Sequence, residues 1–564
     1  MSASTLPNTA ALAGRLVARA RHRQSLGLRT SQHARIHARS YSQPPVQQSL
    51  AGEVNRKEES DASQRPHSRD SEPRARPGGF PTSGSSFVDA AATALIGLGA
   101  VFFGGVAYVA WYKKNVLDKI ELAFARGYDP ALELASNPRT QHDTGDDYVH
   151  WMKHVRRREQ SSLDRIIKGT EAGQYYLLLG PKGTGKGTMM LDAMQAIEAE
   201  GVAMCDAHPD LEVFRLRLGK AMNYEFNEDT QTSLFQRRDP REAGPSLDIE
   251  RALNKLEKVA LRYARRTGRP LVLIFNNIHF FKNDDDGRQM LLQMQQRAES
   301  WAAAGILTMV FSSDDFWPFL VMRKTASRMQ VVTVSDLSFK DALRASAQMR
   351  LNAKLPTDSE ELHDAVSIVG GRLSYLAQLS KTANMREHAQ QMLDVEKAWL
   401  LSLIGLIPDC DDDVMDEQKW SSCSWLLLRE FVKQRRADER ERAEALAAGE
   451  LSSEGLDELP LPKIPYYKCR QIMTRADFLE DLDRANVIAI DTNHDVTPDS
   501  VLLLQAAQKV VEEEGFDDLL DGVRNRVDEI ESLHRTRELT FKDISAGDRI
   551  RLSVDKGGAV SVTG

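Results

Sequence analysis

The stretch that most constrains this chain runs from Tyr175 to Met190 and reads YYLLLGPKGTGKGTMM. The apolar opening predicts a short buried strand, and TMMLDAMQAIEAE beyond the loop predicts a helix. A glycine-rich turn in that context is suited to phosphate. Gly180, Gly183 and Gly185 let backbone N–H groups close around phosphate oxygens, and the helix N-terminus adds the positive end of its dipole. Lys186 would reach the β- and γ-phosphates. Gly180, Pro181, Lys182, Gly183, Thr184, Gly185, Lys186, Gly187 and Thr188 are therefore the expected contacts of ATP. In one position the loop departs from this pattern. The hydroxyl residue that usually follows the lysine and ligates Mg²⁺ is Gly187 here, and the hydroxyl arrives one place later as Thr188.

A second apolar strand, Leu271 to Phe275, ends in Asn276-Asn277-Ile278-His279. Carboxylates for Mg²⁺ and for activating water are expected at this strand end, and the chain offers two amides. Asn276 could hold a magnesium-bound water by hydrogen bonding, but neither Asn276 nor Asn277 can accept a proton at neutral pH. These two positions are the catalytic candidates, with Thr188 and Asn276 the metal candidates, and the expectation is ATP binding with slow or absent hydrolysis. Asp284-Asp285-Asp286 reads as a solvated loop run and His279 as structural, with a substitute-base role for His279 the alternative. A third strand, Ile306 to Phe311, ends in Ser312-Ser313-Asp314. Ser312 or Ser313 is a candidate γ-phosphate sensor, with a turn or cap role open for the same serines. Arg323 and Arg328 lie on the helical segment before a fourth strand, Met329 to Val334. Either could act as a finger reaching a neighbour's site or stand solvated.

The other strong signals lie N-terminally. The first 50 residues contain seven arginines and no acid, although the whole chain carries a net charge of −7. An acid-free, Ser- and Arg-rich opening is the composition of a mitochondrial presequence, with Arg39-Ser40-Tyr41-Ser42 as the expected cleavage region. A Pro-, Ser- and Gly-rich linker follows. Then Ala90 to Tyr112 gives 23 residues without a charge, closed by Trp111-Tyr112 and Lys113-Lys114. That length spans a ~30 Å hydrocarbon core with an interfacial aromatic belt. The expected location is the mitochondrial inner membrane, single-pass, with the lysines after the span leaning toward a matrix-facing C-terminal region. Four scattered cysteines without CxxC spacing exclude a disulfide scaffold and argue against zinc.

The phrases GPKGTGKGT, FNN and FSSD, then VVTVSDLSFKDA and IVGGRLSYLAQLSK, resemble AAA+ proteins, and within them the STAND and archaeal-type ATPase branch. The resemblance covers roughly residues 150–400. It implies a parallel α/β P-loop sheet with a helical lid entered at Val334-Ser335-Asp336-Leu337-Ser338, and a Gly370-Gly371 turn carrying Arg372 where a second sensor sits. The loop's GKGT ending also resembles adenylate-kinase-type loops, but no Arg-rich lid signature accompanies it. The C-terminal part resembles fungal mitochondrial AAA proteins with a winged-helix tail and, more distantly, mitochondrial escape protein. Asn276-Asn277 departs from the family's acidic strand end and puts hydrolysis in doubt.

The expected organisation is presequence 1–41, linker 42–89, transmembrane helix 90–112, helical connector 113–150, P-loop core 151–338, lid 339–400, winged helix 401–500, and C-terminal helix and hairpin 501–564. Within the winged helix, KQRRADERERAEALAAGELSSEGLDELPLP reads as a charged insert, and Thr474 to Asp477 as the cap of a helix starting at Phe478. That helix carries Asp477, Glu480, Asp481 and Asp483, which would repel phosphate and favour a protein-contact or purely packing role over DNA. Residues 500–535 read as one acidic helix, followed by a hairpin around Lys556-Gly557-Gly558. The functional expectation is a nucleotide-gated switch or scaffold, with ATP, Mg²⁺, the inner membrane and further copies of the chain as partners. An active AAA+ enzyme remodelling membrane proteins and a winged-helix tether for mitochondrial DNA are the alternatives.

Overall fold

A computed structural model describes residues 86–129, 132, 156–226, 244–448, 459–542, 551–554 and 560–563. The expected presequence and residues 42–85 of the linker lie outside them, as does most of 130–155.

The first element is a single helix, α1 (Ser86–Ala123), which begins inside the expected linker and continues past Tyr112. From Ala91 onward it is long and apolar enough to cross a membrane, and its most apolar stretch is wholly uncovered. Its last turns behave differently. Val116, Ile120 and Ala123 are buried, with Phe124 just beyond the helix. They join the core packed on α5 (Gly244–Thr267), where Arg262 pairs with Asp118 and Glu121, and Arg266 with Glu121. The chain then ties itself to the sheet edge, Gly201 N–H donating to Phe124 O and Met204 N–H to Asp129 Oδ2.

Among the described residues, five parallel strands form the central sheet: β1 (Tyr175–Leu179), β2 (Val202–Asp206), β3 (Leu271–Asn276), β4 (Leu307–Ser313) and β5 (Met329–Thr333). Their order is β2-β3-β4-β1-β5. A parallel sheet is covered on both faces, so its inner strands read as unbroken apolar runs. Tyr176, Leu178, Val272, Ile274 and Val310 enter one core, with α2 (Gln160–Ile167) and α3 (Lys186–Ala196) above them. Tyr175, Leu177, Leu179, Leu273, Phe275 and Phe311 enter the other, under α4 (Leu211–Ala221), α5 and α6 (Asp285–Ala304). Each such side chain, fully buried, contributes about 1.5–3 kcal/mol. The aspartates expected in a loop open α6 instead: the Asp284 carboxylate accepts the Gly287 N–H at 2.8 Å, a helix N-cap.

After α7 (Trp317–Arg323) and β5, the lid comprises α8 (Phe339–Asn352), α9 (Ser359–Val369), α10 (Leu373–Leu379) and α11 (Met385–Leu403). The winged helix follows. Its α12 (Met415–Ala447) runs on through most of the expected insert, since KQRRADERERAEALA is made of helix formers and carries pairs such as Arg435–Glu439. Next come β6 (Ile464–Pro465), α13 (Tyr466–Met473), α14 (Ala476–Arg484), β7 (Ile488–Ile490) and β8 (Asp495–Pro498), the strands ordered β6-β8-β7 and antiparallel. Thr474 is not the cap of α14. It ends α13 at φ 61°, and Arg475 takes the N-cap place with its guanidinium on Asp477. The expected single acidic helix is two, α15 (Val501–Val511) and α16 (Phe516–Lys542), separated at Gly515 with φ +86°. Strands β9 (Arg551–Val554) and β10 (Val560–Thr563) pair antiparallel on either side of the expected hairpin turn.

Candidate functional site

The strand–loop–helix order puts Gly180 to Gly185 at the carboxyl edge of the sheet, between β1 and the first turn of α3. Gly183 and Gly185 adopt φ +82° and +97°, conformations that favour glycine. Gly180 is demanded by packing, since a Cβ there would lie 2.0 Å from the Val334 carbonyl oxygen. Thr184 is buried, with its hydroxyl on Pro181 O at 2.9 Å. The ammonium of Lys186 is turned inward. It donates to Gly180 O at 2.5 Å and Pro181 O at 2.8 Å, and pairs with Asp314 Oδ1 at 2.8 Å. Burial pushes its pKa down, while Asp314 works the other way. Lys182 points to solvent, and Gly187 and Thr188 are half-buried on the first turn of α3.

The amide pair at the end of β3 is held by its neighbours. Asn276 Nδ2 donates to Asp206 Oδ1 at 2.8 Å, and Asn276 Oδ1 accepts from Ser312 Oγ at 2.7 Å. Asn277 is left-handed at φ 56°, and its N–H donates to the same Ser312 Oγ at 3.0 Å. Ser312 thus joins β3 to β4, whereas Ser313 donates to Asp315 O. Asp314 follows β4. Its N–H donates to His279 Nδ1 at 3.1 Å, an acceptor role open to a neutral imidazole. Burial lowers the pKa of His279, opposed by Asp314 and assisted by Lys186 and Lys182. Sequence reasoning did not single out Asp206 or Asp314 for the site. Their side-chain partners lie 70 and 128 positions away, respectively.

The lid rests on the loop, with Ser374 N–H donating to Gly183 O at 3.2 Å. Arg372, the expected second sensor, is buried in an ion cluster. Its Nε donates to Asp336 Oδ1 at 2.9 Å, and its Nη1 donates to Asp499 Oδ2 of the winged helix at 2.5 Å. Burial works against its charge, but Asp499 and Asp336 outweigh that and raise its pKa. The other two arginines lie apart from this cluster. Arg323 meets His494 of the winged helix and covers the Phe319 ring. Arg328 lies at the amino-terminal edge of the sheet, opposite the loop, with its guanidinium toward Gly173 O at 3.4 Å.

Two cavities are formed near the core, one of them reached by Lys182 of the phosphate loop. One, about 640 Å³, is lined by Lys182, His279 and Asp314 of the core and by Arg484 and Asn486 of the winged helix. The other, about 710 Å³, lies between Arg156–Glu159, the Ser335–Ser338 segment and α8. Arg157 is buried beside it. Its Nη2 donates to Ser335 O at 2.5 Å, while Nε and Nη1 have no hydrogen-bond partner among the described residues. A buried guanidinium with unmet donors is costly and suits an acceptor-bearing ligand.

Residues 155–309 match the AAA ATPase domain, and residues 401–531 match the C-terminal winged helix domain of fungal AAA proteins. The chain carries an AAA ATPase domain followed by a winged helix domain of the fungal AAA type. The winged-helix match takes in α15 and part of α16 as well as the expected 401–500. No curated protein matches. Among solved structures, a Walker-type ATPase of Pyrococcus abyssi is 13% identical, covering 63% of this chain and 96% of its own, with a TM-score of 0.40. The Aeropyrum pernix ORC2 protein is 13% identical, covering 67% and 95%, with a TM-score of 0.36. Cdc6p from Pyrobaculum aerophilum has the same identity and coverage, with a TM-score of 0.30. All three are distant likenesses in outline to this AAA protein.

Mg²⁺ commonly accompanies nucleotide in such domains, and the residues present can accommodate it only in an altered way. Asn276 brings no charge and has both amide atoms engaged, so the candidate donors are the Asp314 carboxylate, which meets Lys186, and the Thr188 hydroxyl on the first turn of α3.

Proposed function

We propose that the protein is a membrane-anchored, nucleotide-gated switch that binds ATP on the Gly180–Thr188 loop and hydrolyses it slowly or not at all. The observation that carries this reading is the pairing of an intact loop with an amide-only β3 end. The loop supplies glycine turns, an inward lysine and a helix N-terminus, whereas Asn276 and Asn277 cannot act as a base. When bound, Mg²⁺ would neutralise phosphate charge. The chain's own residues do the rest. Loop amides bind the phosphates, Lys186 turns from Asp314 toward them, and the cavity beside Arg157 receives the base. The lid covers the loop through Ser374, and Arg372 couples it to Asp499, so a change at the phosphates reaches the winged helix through the lid, with Arg372 the buried link and Lys509–Asp394 a second one.

Two of the four acids of α14 are already applied to the chain's own core, which supports a packing role over nucleic acid. Asp483 accepts the Phe316 N–H at 2.7 Å, and Glu480 accepts from Asn283 at 3.1 Å. The uncovered apolar length of α1, with the acid-free opening before it, supports anchoring in the mitochondrial inner membrane.

Steady-state hydrolysis by the full chain in lipid nanodiscs tests the switch. The expected result is nucleotide binding with turnover indistinguishable from that of Lys186→Ala. Turnover of about one per second or faster, abolished by that substitution, would favour the active remodelling enzyme instead.

A further inference from the structure

We propose that Asp314 is the metal-facing carboxylate of the nucleotide site, supplied by the end of β4 in place of the acid missing from β3. The inference rests on the nucleotide-binding reading above and deepens it. β4 lies between β3 and the loop strand β1, so the acid has moved one strand nearer the loop. Its Oδ1 lies 2.8 Å from Lys186 Nζ, and its side chain is 16% exposed, on the wall of the cavity that also holds Lys182. The backbone there is pinned, because the Asp314 N–H donates to His279 Nδ1 at 3.1 Å. Asp315 lines the same cavity and is buried beside it, but Asp314 is the carboxylate that meets the Lys186 ammonium. Asp206 is two strands farther from the loop and holds the Asn276 amide, while Asp336 and Asp499 are engaged by Arg372. The first turn of α3 is open at Gly187, where a Cβ would meet nothing within 4 Å.

The electrostatic consequence is selective. A triphosphate arriving alone brings like charge to Asp314 and competes with it for Lys186. A triphosphate arriving with a divalent cation makes the same carboxylate attractive. Asp314 therefore favours metal-bound over metal-free nucleotide, a task that Asn276 cannot perform.

The test is ATP binding to the full chain in nanodiscs, by calorimetry, in millimolar Mg²⁺ and in excess EDTA. It compares the wild type with Asp314→Asn, Asp314→Glu and Asp206→Asn, each checked for folding by its melting curve. The wild type is expected to bind about tenfold or more tightly with Mg²⁺ than without. Asp314→Asn should narrow that ratio to about threefold or less, chiefly by binding better in EDTA, while Asp314→Glu and Asp206→Asn keep it. Equal tightening by Asp314→Asn in both conditions would make Asp314 a mere counter-ion of Lys186 and overturn the proposal. Loss of the ratio in Asp206→Asn, or in the charge-retaining Asp314→Glu, would overturn it as well. A folded wild type that binds no nucleotide in either condition fails differently, since it removes the nucleotide reading itself.

Discussion

Around Lys186 the site carries more carboxylates than the loop alone would need, and burial acts on them unequally. Asp315, next to Asp314, has its pKa raised from 3.8 to about 6, by burial first and by Asp314 second, with Arg484 and Lys186 opposing. An acid raised in the folded state adds stability fully below its unfolded pKa and loses it as pH rises through the folded value. The window here is therefore pH 3.8 to about 6. Asp315→Asn should accordingly be more stable than wild type at pH 7.5, by on the order of 1–3 kcal/mol, with the gap closing near pH 4. Denaturant melts at the two pH values check this, and a gap unchanged with pH would contradict it. Gly187 gives a second residue-scale prediction. Serine fits there without contact and restores the usual hydroxyl, so Gly187→Ser should tighten Mg²⁺-ATP binding about threefold or more in a titration, with little effect in EDTA.

At the scale of elements, the β1–loop–α3 unit is held by close backbone approach. Gly180→Ala would drive a methyl into the Val334 carbonyl, whose residue continues the β5 edge by donating its N–H to Leu179 O at 2.8 Å. The expected cost is more than about 2 kcal/mol, read as a lower urea midpoint. This unit was legible in the sequence because its strand, glycines and helix are contiguous. The strands at β3, β4 and β5 were legible as apolar runs between breakers. β2 was not, because VAMCD is short and is defined by pairing with β3, as in Cys205 opposite Phe275. Helix ends were read less well. Thr474 resembled a cap but took a left-handed turn, and the charged run after Val432 proved to be more helix. Of the candidate site, the loop was legible whereas the partners were not. Arg372 could be named as a sensor, yet its pairing with Asp499 spans 127 positions and leaves no local pattern.

Across the whole molecule, one helix links the apolar segment to the AAA core without a break, and the lid is joined to the winged helix by the Arg372–Asp499 pair together with Lys509–Asp394 and the bond from Gln505 to Ser367 O. The buried face at the end of α1 docks the first link on α5. Ile120→Asp would bury an unpaired charge between α1 and α5, and should increase protease cleavage near Ala123 while leaving ATP affinity within about twofold. Unchanged cleavage would contradict the docking of α1. The central claim is that the Gly180–Thr188 loop encloses the phosphates of ATP. Calorimetric titration of the full chain in nanodiscs with Mg²⁺-ATP, beside Lys186→Ala, tests it most directly. Saturable one-to-one binding by the wild type, weakened at least about a hundredfold in the variant, is the predicted result. Equal affinity in the two folded proteins would contradict it.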